Sequence, residues 1–190
     1  MKTTATVAGL FCLVATTAAA NDYAPAMQSY LDDNVAGWME DAVIVDAIKA
    51  QNEAHAGLDA AKIEEMDQAW RAEVGASDTP TITPVLENAA AEFLRGKVAE
   101  AGGVVTEIFV MDMHGLNVAA SDTTSDYWQG DEAKFQETYP NGGGSVFIDE
   151  VEFDESTQTF QGQVSVTITD PASGEAIGAM TLGLNAEALM

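Results

Sequence analysis

Tyr127 and Trp128 stand side by side in a run that also holds Asp122, Asp126 and Asp131. Aromatic faces attract cations, and carboxylates accept charge-assisted hydrogen bonds, so this mixture suits an ammonium group. Neighbouring residues of an extended loop point opposite ways, so one ring is expected to face a ligand while the other fills the core. Lys134 follows closely and is the only base after Lys97. It is the natural partner for a ligand carboxylate. Arg71 and Arg95, the chain's two arginines, both fall in helical stretches. The usual bidentate carboxylate clamp is therefore missing from the second half, which favours a cationic or zwitterionic ligand over an organic acid.

Other chemistries fare worse. Asp112 and His114 are two apart and could share a strand face, but His55 is distant in sequence and no cysteine lies nearby. A zinc site is not expected. His114 beside Gly115 reads as a turn residue. The acidic run Asp149, Glu150, Glu152, Asp154 and Glu155 lacks the spaced Asp/Asn-Gly loop of a calcium site and reads as a solvated hairpin. No Gly-x-Ser-x-Gly elbow is present, and Gly142-Gly143-Gly144 precedes a strand rather than a helix. No catalytic residue, metal or cofactor is expected.

The elements that must position these residues change character at Gly103. Before it the apolar period is helical. Leu31, Val35, Trp38, Ala42, Val45 and Ile48 make one stripe, which predicts a long helix over 26–55. Asp59 caps a second helix over 59–73, with Ile63, Met66 and Trp70 on one face. Thr83-Pro84 predicts the start of a third, continuing to Ala101. Trp38 and Trp70 read as core anchors. After Gly103 the chain turns strand-like: Val104–Met113 apolar on both faces, Leu116–Ala120 short, Ser145–Phe153, an alternating strand around Phe160–Thr169, and Glu175–Leu184. Residues 130–139 read as a short helix, 154–158 as a hairpin turn, and 185–189 as a closing helical turn. Helices first and antiparallel strands after predict an α+β fold. Phe160, Val164, Val166 and Ile168 would face the helices. Gln161, Gln163, Ser165, Thr167 and Thr169 would form a polar face, the floor of a pocket if the 121–145 loops close over it.

With 31 acids against seven bases, the formal net charge is −24. Such a chain repels phosphate backbones and anionic lipid, so neither nucleic acid nor a membrane surface is an expected partner. Residues 1–20 hold one charge, Lys2, then an apolar stretch and Ala18-Ala19-Ala20, the pattern of a secretory leader cut after Ala20. Its apolar part is too short to span a bilayer. Cys12, the only cysteine, lies inside it, so the mature chain has no thiol and no disulfide.

The strand-turn-strand EIFVMDMHGLNVAAS, the block TSDYWQGDEAKFQ and the closing ITDPASGEAIGAMTLGL, preceded by long helices, resemble the single Cache domain, a PAS-like extracytoplasmic sensor family. The resemblance covers about 25–190 and implies N-terminal helices (21–103) packed on a five-stranded antiparallel PAS-like sheet (104–190), together one domain. It also implies a small-molecule pocket between the sheet and the loops after the second strand. Within that frame the expected floor is Phe109, Met111, Ser165 and Thr167, and the expected walls are Tyr127, Trp128 and Tyr139. Asp122, Asp126 and Asp170 would be acceptors, with Lys134 as the acid partner. Family members usually continue into a membrane helix and a signalling output. Because this sequence stops at Met190, a separate membrane histidine kinase or chemoreceptor is the expected recipient of the signal. The expected protein is thus a periplasmic or secreted sensor module, not an enzyme, that binds a small polar metabolite, preferably an amine or amino-acid-like molecule. The alternatives are a ligand-free structural module dimerising through its N-terminal helices and, third, a metal-dependent hydrolase.

Overall fold

The computed structural model describes residues 21–154 and 159–190, so the expected leader and the tip of the 154–158 turn lie outside the described residues. The long N-terminal helix is interrupted twice. Helix α1 (Ala24–Tyr30) passes through a widened π turn at Leu31–Val35 into α2 (Ala36–Met39). Glu40 ends α2, and Asp41 restarts the chain as the N-cap of α3 (Ala42–His55). Asp41 is extended, and its carboxylate accepts from the Val43 amide at 2.9 Å, satisfying a donor that a helix start leaves free. Most of the expected apolar stripe survives the break: Leu31, Val35, Val45 and Ile48 are buried, Trp38 is half-buried with the Lys97 ammonium 5.8 Å from its ring, and Ala42, at the start of α3, is exposed.

Helix α4 (Ala60–Glu73) starts where expected, with Asp59 accepting from Lys62 N at 2.9 Å. The third expected helix is two. Short α5 (Ile82–Leu86) precedes α6 (Ala89–Glu100), and Asn88, not Thr83, provides the side-chain cap. The amide of Asn88 accepts from Ala91 N at 2.8 Å and donates to Pro84 O and, across to the sheet, Val118 O.

Strands β1 (Val105–Met111), β2 (Asn117–Ala120), β3 (Val146–Ile148), β4 (Glu152–Asp154), β5 (Thr159–Thr169) and β6 (Ala176–Asn185) form one antiparallel sheet in the order β2-β1-β6-β5-β3, with β4 also on β5. The expected third strand is broken into β3 and β4, which share one flank of β5: Val146–Ile148 face 164–166, and Glu152–Asp154 face 159–161. The sheet therefore has six strand segments where five strands were expected.

Its two faces serve different cores. Val164, Val166 and Ile168 of β5, with Met180, Leu182, Ile108 and Val110, pack under α3 and α6. Gly178 lets α3 come close: a Cβ there would stand 3.0 Å from Ile48 and overlap the Met111 carbonyl. Phe160 departs from its strand-mates. It is 45% exposed and packs edge-on against Phe153 at 5.4 Å. The second face carries Phe109, Met111 and Ala179, and is covered by Trp70 of α4, Tyr127 and Phe135 of the short helix α7 (Ala133–Gln136).

Candidate ligand site

Registration brings the expected floor together. Phe109 stands opposite Thr181, and Thr181 opposite Ser165. One step along, Met111 faces Ala179 and Ala179 faces Thr167. Ser165 and Thr181 bond through their hydroxyls at 2.8 Å, and both are fully buried. The Thr167 hydroxyl is buried without a partner. This strip of hydroxyls beside apolar side chains is a floor that water does not reach. Thr181 was not singled out from the sequence, although a lone threonine inside the apolar run of β6, across from Ser165, is the signal that marks it.

α7 lays Lys134 over this floor. Its ammonium is 5.5 Å from the Phe109 ring centre, 2.9 Å from Glu132 and 3.3 Å from the Gln129 side-chain oxygen. Phe135 of the same helix stacks on Tyr139 at 5.5 Å, and Tyr139 is half-buried. Below Lys134 opens a cleft of about 370 Å³ lined by Glu132, Lys134, Asp149, Glu150, Glu152, Phe153, Gln161 and Gln163. Four carboxylates thus share a cavity with one ammonium, one ring and two amides. Three of the acids, Asp149, Glu150 and Glu152, come from the broken edge between β3 and β4, the stretch read from sequence as a solvated hairpin, and Glu132 precedes α7.

The DYW segment is held from the helical side. Asp67 of α4, only 3% exposed, accepts from the amides of Tyr127 at 2.9 Å and Trp128 at 3.0 Å. Arg71 pairs with Asp67 at 2.7 Å and reaches Asp126 at 3.4 Å, and these carboxylates push its guanidinium further up. The indole of Trp70 donates to Thr124 O at 2.9 Å and lies flat on the Tyr127 ring at 5.2 Å. Of the two adjacent aromatics, Tyr127 is therefore the one that enters the core. Burial, helped by the Asp112 charge, pushes its phenol far up, so it stays protonated. Trp128 is half-buried, with its indole N–H donating to His114 O at 2.8 Å.

The expected acceptors are engaged elsewhere. Asp122 is exposed and caps the Thr123 amide at 2.7 Å. Asp126 takes Gln129 at 2.6 Å besides Arg71. Asp170 pairs with Lys49 of α3 at 2.7 Å and accepts from Ala172 N, contacts that hold its carboxyl below the usual range. Of the expected site residues only Lys134 lines the cleft; the three acceptors, the aromatics Tyr127, Trp128 and Tyr139, and the floor of Phe109, Met111, Ser165 and Thr167 do not. Sequence distance hid the cause, because Lys49 and Arg71 reach these acids from helices 121 and 55 residues away.

Asp112 and His114 form no metal pair with a third ligand: among the described residues no cluster of three metal-binding side chains occurs. Fully buried Asp112 instead accepts from Gln51 at 3.0 Å, His114 N at 2.8 Å and Leu116 N at 3.0 Å, and pairs with His55 Nδ1 at 2.7 Å. It ties the end of α3 to the β1–β2 turn. That turn needs a left-handed residue, and Gly115 supplies it at φ +82°.

No protein-family model matches the chain, and no curated protein matches it. Several solved structures do. The sensory domain of the Campylobacter jejuni chemoreceptor Tlp3 with isoleucine bound is 12% identical over 88% of this chain and 64% of that one, with a TM-score of 0.40. The sensor domain of the V. cholerae histidine kinase DctB is 12% identical over 88% and 53%, TM-score 0.44. The ligand-binding domain of the Pseudomonas fluorescens chemoreceptor CtaA in complex with L-serine is 12% identical over 87% and 62%, TM-score 0.39. The chain spans between 53% and 64% of the length of these three. It is similar to sensor domains of chemoreceptors and histidine kinases, over part of their length.

Proposed function

We propose that the protein is an extracytoplasmic ligand-binding sensor module whose ligand is a small amine or amino-acid-like zwitterion. The observation that carries this reading is the pairing of opposite charges around one cleft of about 370 Å³: Lys134 on one wall, Asp149, Glu150 and Glu152 on another, and Gln161 and Gln163 at the sheet. A ligand ammonium would lie among the carboxylates, with the Phe153 ring as a cation–π wall. A ligand carboxylate would take Lys134 from Glu132. The closed polar strip of Ser165, Thr167 and Thr181 would continue the site inward if the loop carrying Lys134 and Tyr139 shifts. The leader-like pattern of residues 1–20, with Lys2, an apolar stretch and Ala18-Ala19-Ala20, supports a location outside the cytoplasm. No helix among the described residues is long and apolar enough to cross a membrane. Occupancy would be passed to a membrane chemoreceptor or histidine kinase.

A thermal-shift and calorimetry screen of amino acids, amines and carboxylic acids tests the proposal. Binding raises native-state stability by about 2.7 kcal/mol when free ligand is near 100-fold above Kd. Amino acids and amines should raise Tm and dicarboxylates should not. Lys134→Ala should weaken amino acids by tenfold or more while sparing simple amines, because only the former have a carboxylate to lose. A flat screen, or a Lys134→Ala protein with an unchanged amino-acid response, rules the site out.

A further inference from the structure

A second cleft, of about 810 Å³, runs between α3, α4 and α5 and shares no lining residue with the one beneath Lys134. Val43, Ala47, Ala50 and Ala54 recur at three- and four-residue steps along α3 and present one low apolar wall. Pro84 and Val85 stand across from it. Tyr127 and Val118 of the sheet edge line its inner end.

Two polar groups at this cleft are unspent. Tyr127 is 5% exposed, yet its hydroxyl makes no hydrogen bond with the described residues. The ring is buried but the hydroxyl oxygen itself reaches solvent, so a ligand can take the place of water there. His55, whose side chain is 15% exposed, presents its Nδ1 to the Asp112 carboxylate at 2.7 Å. An ionised carboxylate only accepts, so Nδ1 carries a proton, and Nε2 is the ring nitrogen left without a protein partner. The cleft therefore offers a phenol hydroxyl and an imidazole nitrogen beside the apolar wall of α3, and both groups lie close to Asp112.

We propose that this cleft is a second ligand site, for a small uncharged molecule with an apolar body and one hydroxyl group that bonds to the Tyr127 hydroxyl and to His55 Nε2. Anions are disfavoured by Asp112 behind the cleft and Asp46 at its rim. Cations gain little, because Asp112 already takes four partners. The uncharged polar side chains at the cleft are committed: Gln51 to Asp112 and the Asn117 carbonyl, Asn88 to its cap and Val118, and Thr81 to Glu73.

Benzyl alcohol is the probe, with benzoate and benzylamine as charged counterparts, followed by amide chemical shifts at pH 8. Benzyl alcohol at millimolar concentration should move the amides of Ala47, Ala50 and Ala54 with saturation. Tyr127→Phe, which keeps the ring stacked on Trp70, should weaken it about tenfold. Ala50→Leu, which fills the cleft from an exposed helix position, should abolish it without lowering the unfolding midpoint. Absence of saturable shifts at these alanines, equal binding to Tyr127→Phe, or tighter binding of benzoate or benzylamine each overturns the proposal.

Discussion

Asp67 shows how one buried carboxylate can govern a distant loop. It accepts two backbone amides of the DYW segment while Arg71 balances its charge. Asp67→Ala removes the acceptor and leaves both amides without a partner in a place water reaches poorly. We expect a loss of ~2–4 kcal/mol in urea unfolding. Asp67→Asn keeps one acceptor oxygen and should cost less than half of that. The same carboxylate explains a limit of the sequence. From Tyr127, Trp128 and the nearby acids one can read that one ring goes inward, but not which. The choice is made by Trp70, fifty-seven residues earlier, which stacks on Tyr127 at an angle of 6°. A contact of that separation leaves no trace in local periodicity.

Among the elements, helices and strands were legible wherever burial repeats with a clean period: the stripe on α3, the cap at Asp59, the alternation of Val164, Val166 and Ile168. Boundaries were lost where a capping residue falls inside an unbroken apolar pattern. Asp41 and Asn88 both restart a helix that periodicity alone runs through. Both are ordinary N-cap types, so the signal was present but outweighed by the stripe. Asn88→Ala tests the weight of such a residue. It removes the cap of α6 and the bond to Val118 O together, and should cost about 1–2 kcal/mol, measured by thermal unfolding. The broken β3–β4 segment was missed for another reason. Its residues 149–151 are strand-compatible, and only pairing along β5 reveals the interruption there that turns Asp149, Glu150 and, at the start of β4, Glu152 to a cleft.

For the molecule as a whole, charge is the dominant stress. A formal net charge of −24 repels itself, so stability should rise when salt screens it. Raising ionic strength from about 0.02 M to about 0.5 M shortens the screening length several-fold, and Tm should climb with it. Acid acts through particular groups. Asp170 is held low by Lys49 and the Ala172 amide. Burial pushes Glu73 up, but hydrogen bonds from Thr81 and Ile82 outweigh it and leave its carboxyl low. A carboxyl depressed in the folded state gives its full stabilisation above its unfolded pKa, near 4, and loses it as pH falls through the folded value. An acid titration of unfolding should therefore steepen below about pH 4, and Asp170→Asn should flatten that limb while lowering stability at neutral pH.

The two margins of the sheet are closed in different ways. At β2, Leu116 bridges to Trp128, Asn117 N donates to Tyr127 O, and Asn88 takes Val118 O. At the other margin the ladder stops and restarts, each piece three residues long, with Asp149, Glu150 and Glu152 at the interruption. An intruding strand would find its hydrogen-bonding groups occupied on one side, and a short, twisted, like-charged template on the other. Unpaired edges are where β-proteins join into fibres, and brief, acidic or covered edges resist it. The same interruption that furnishes carboxylates to the cleft thus also keeps one copy from stitching onto the next, so the protein should stay free of thioflavin-positive aggregate when concentrated at neutral pH.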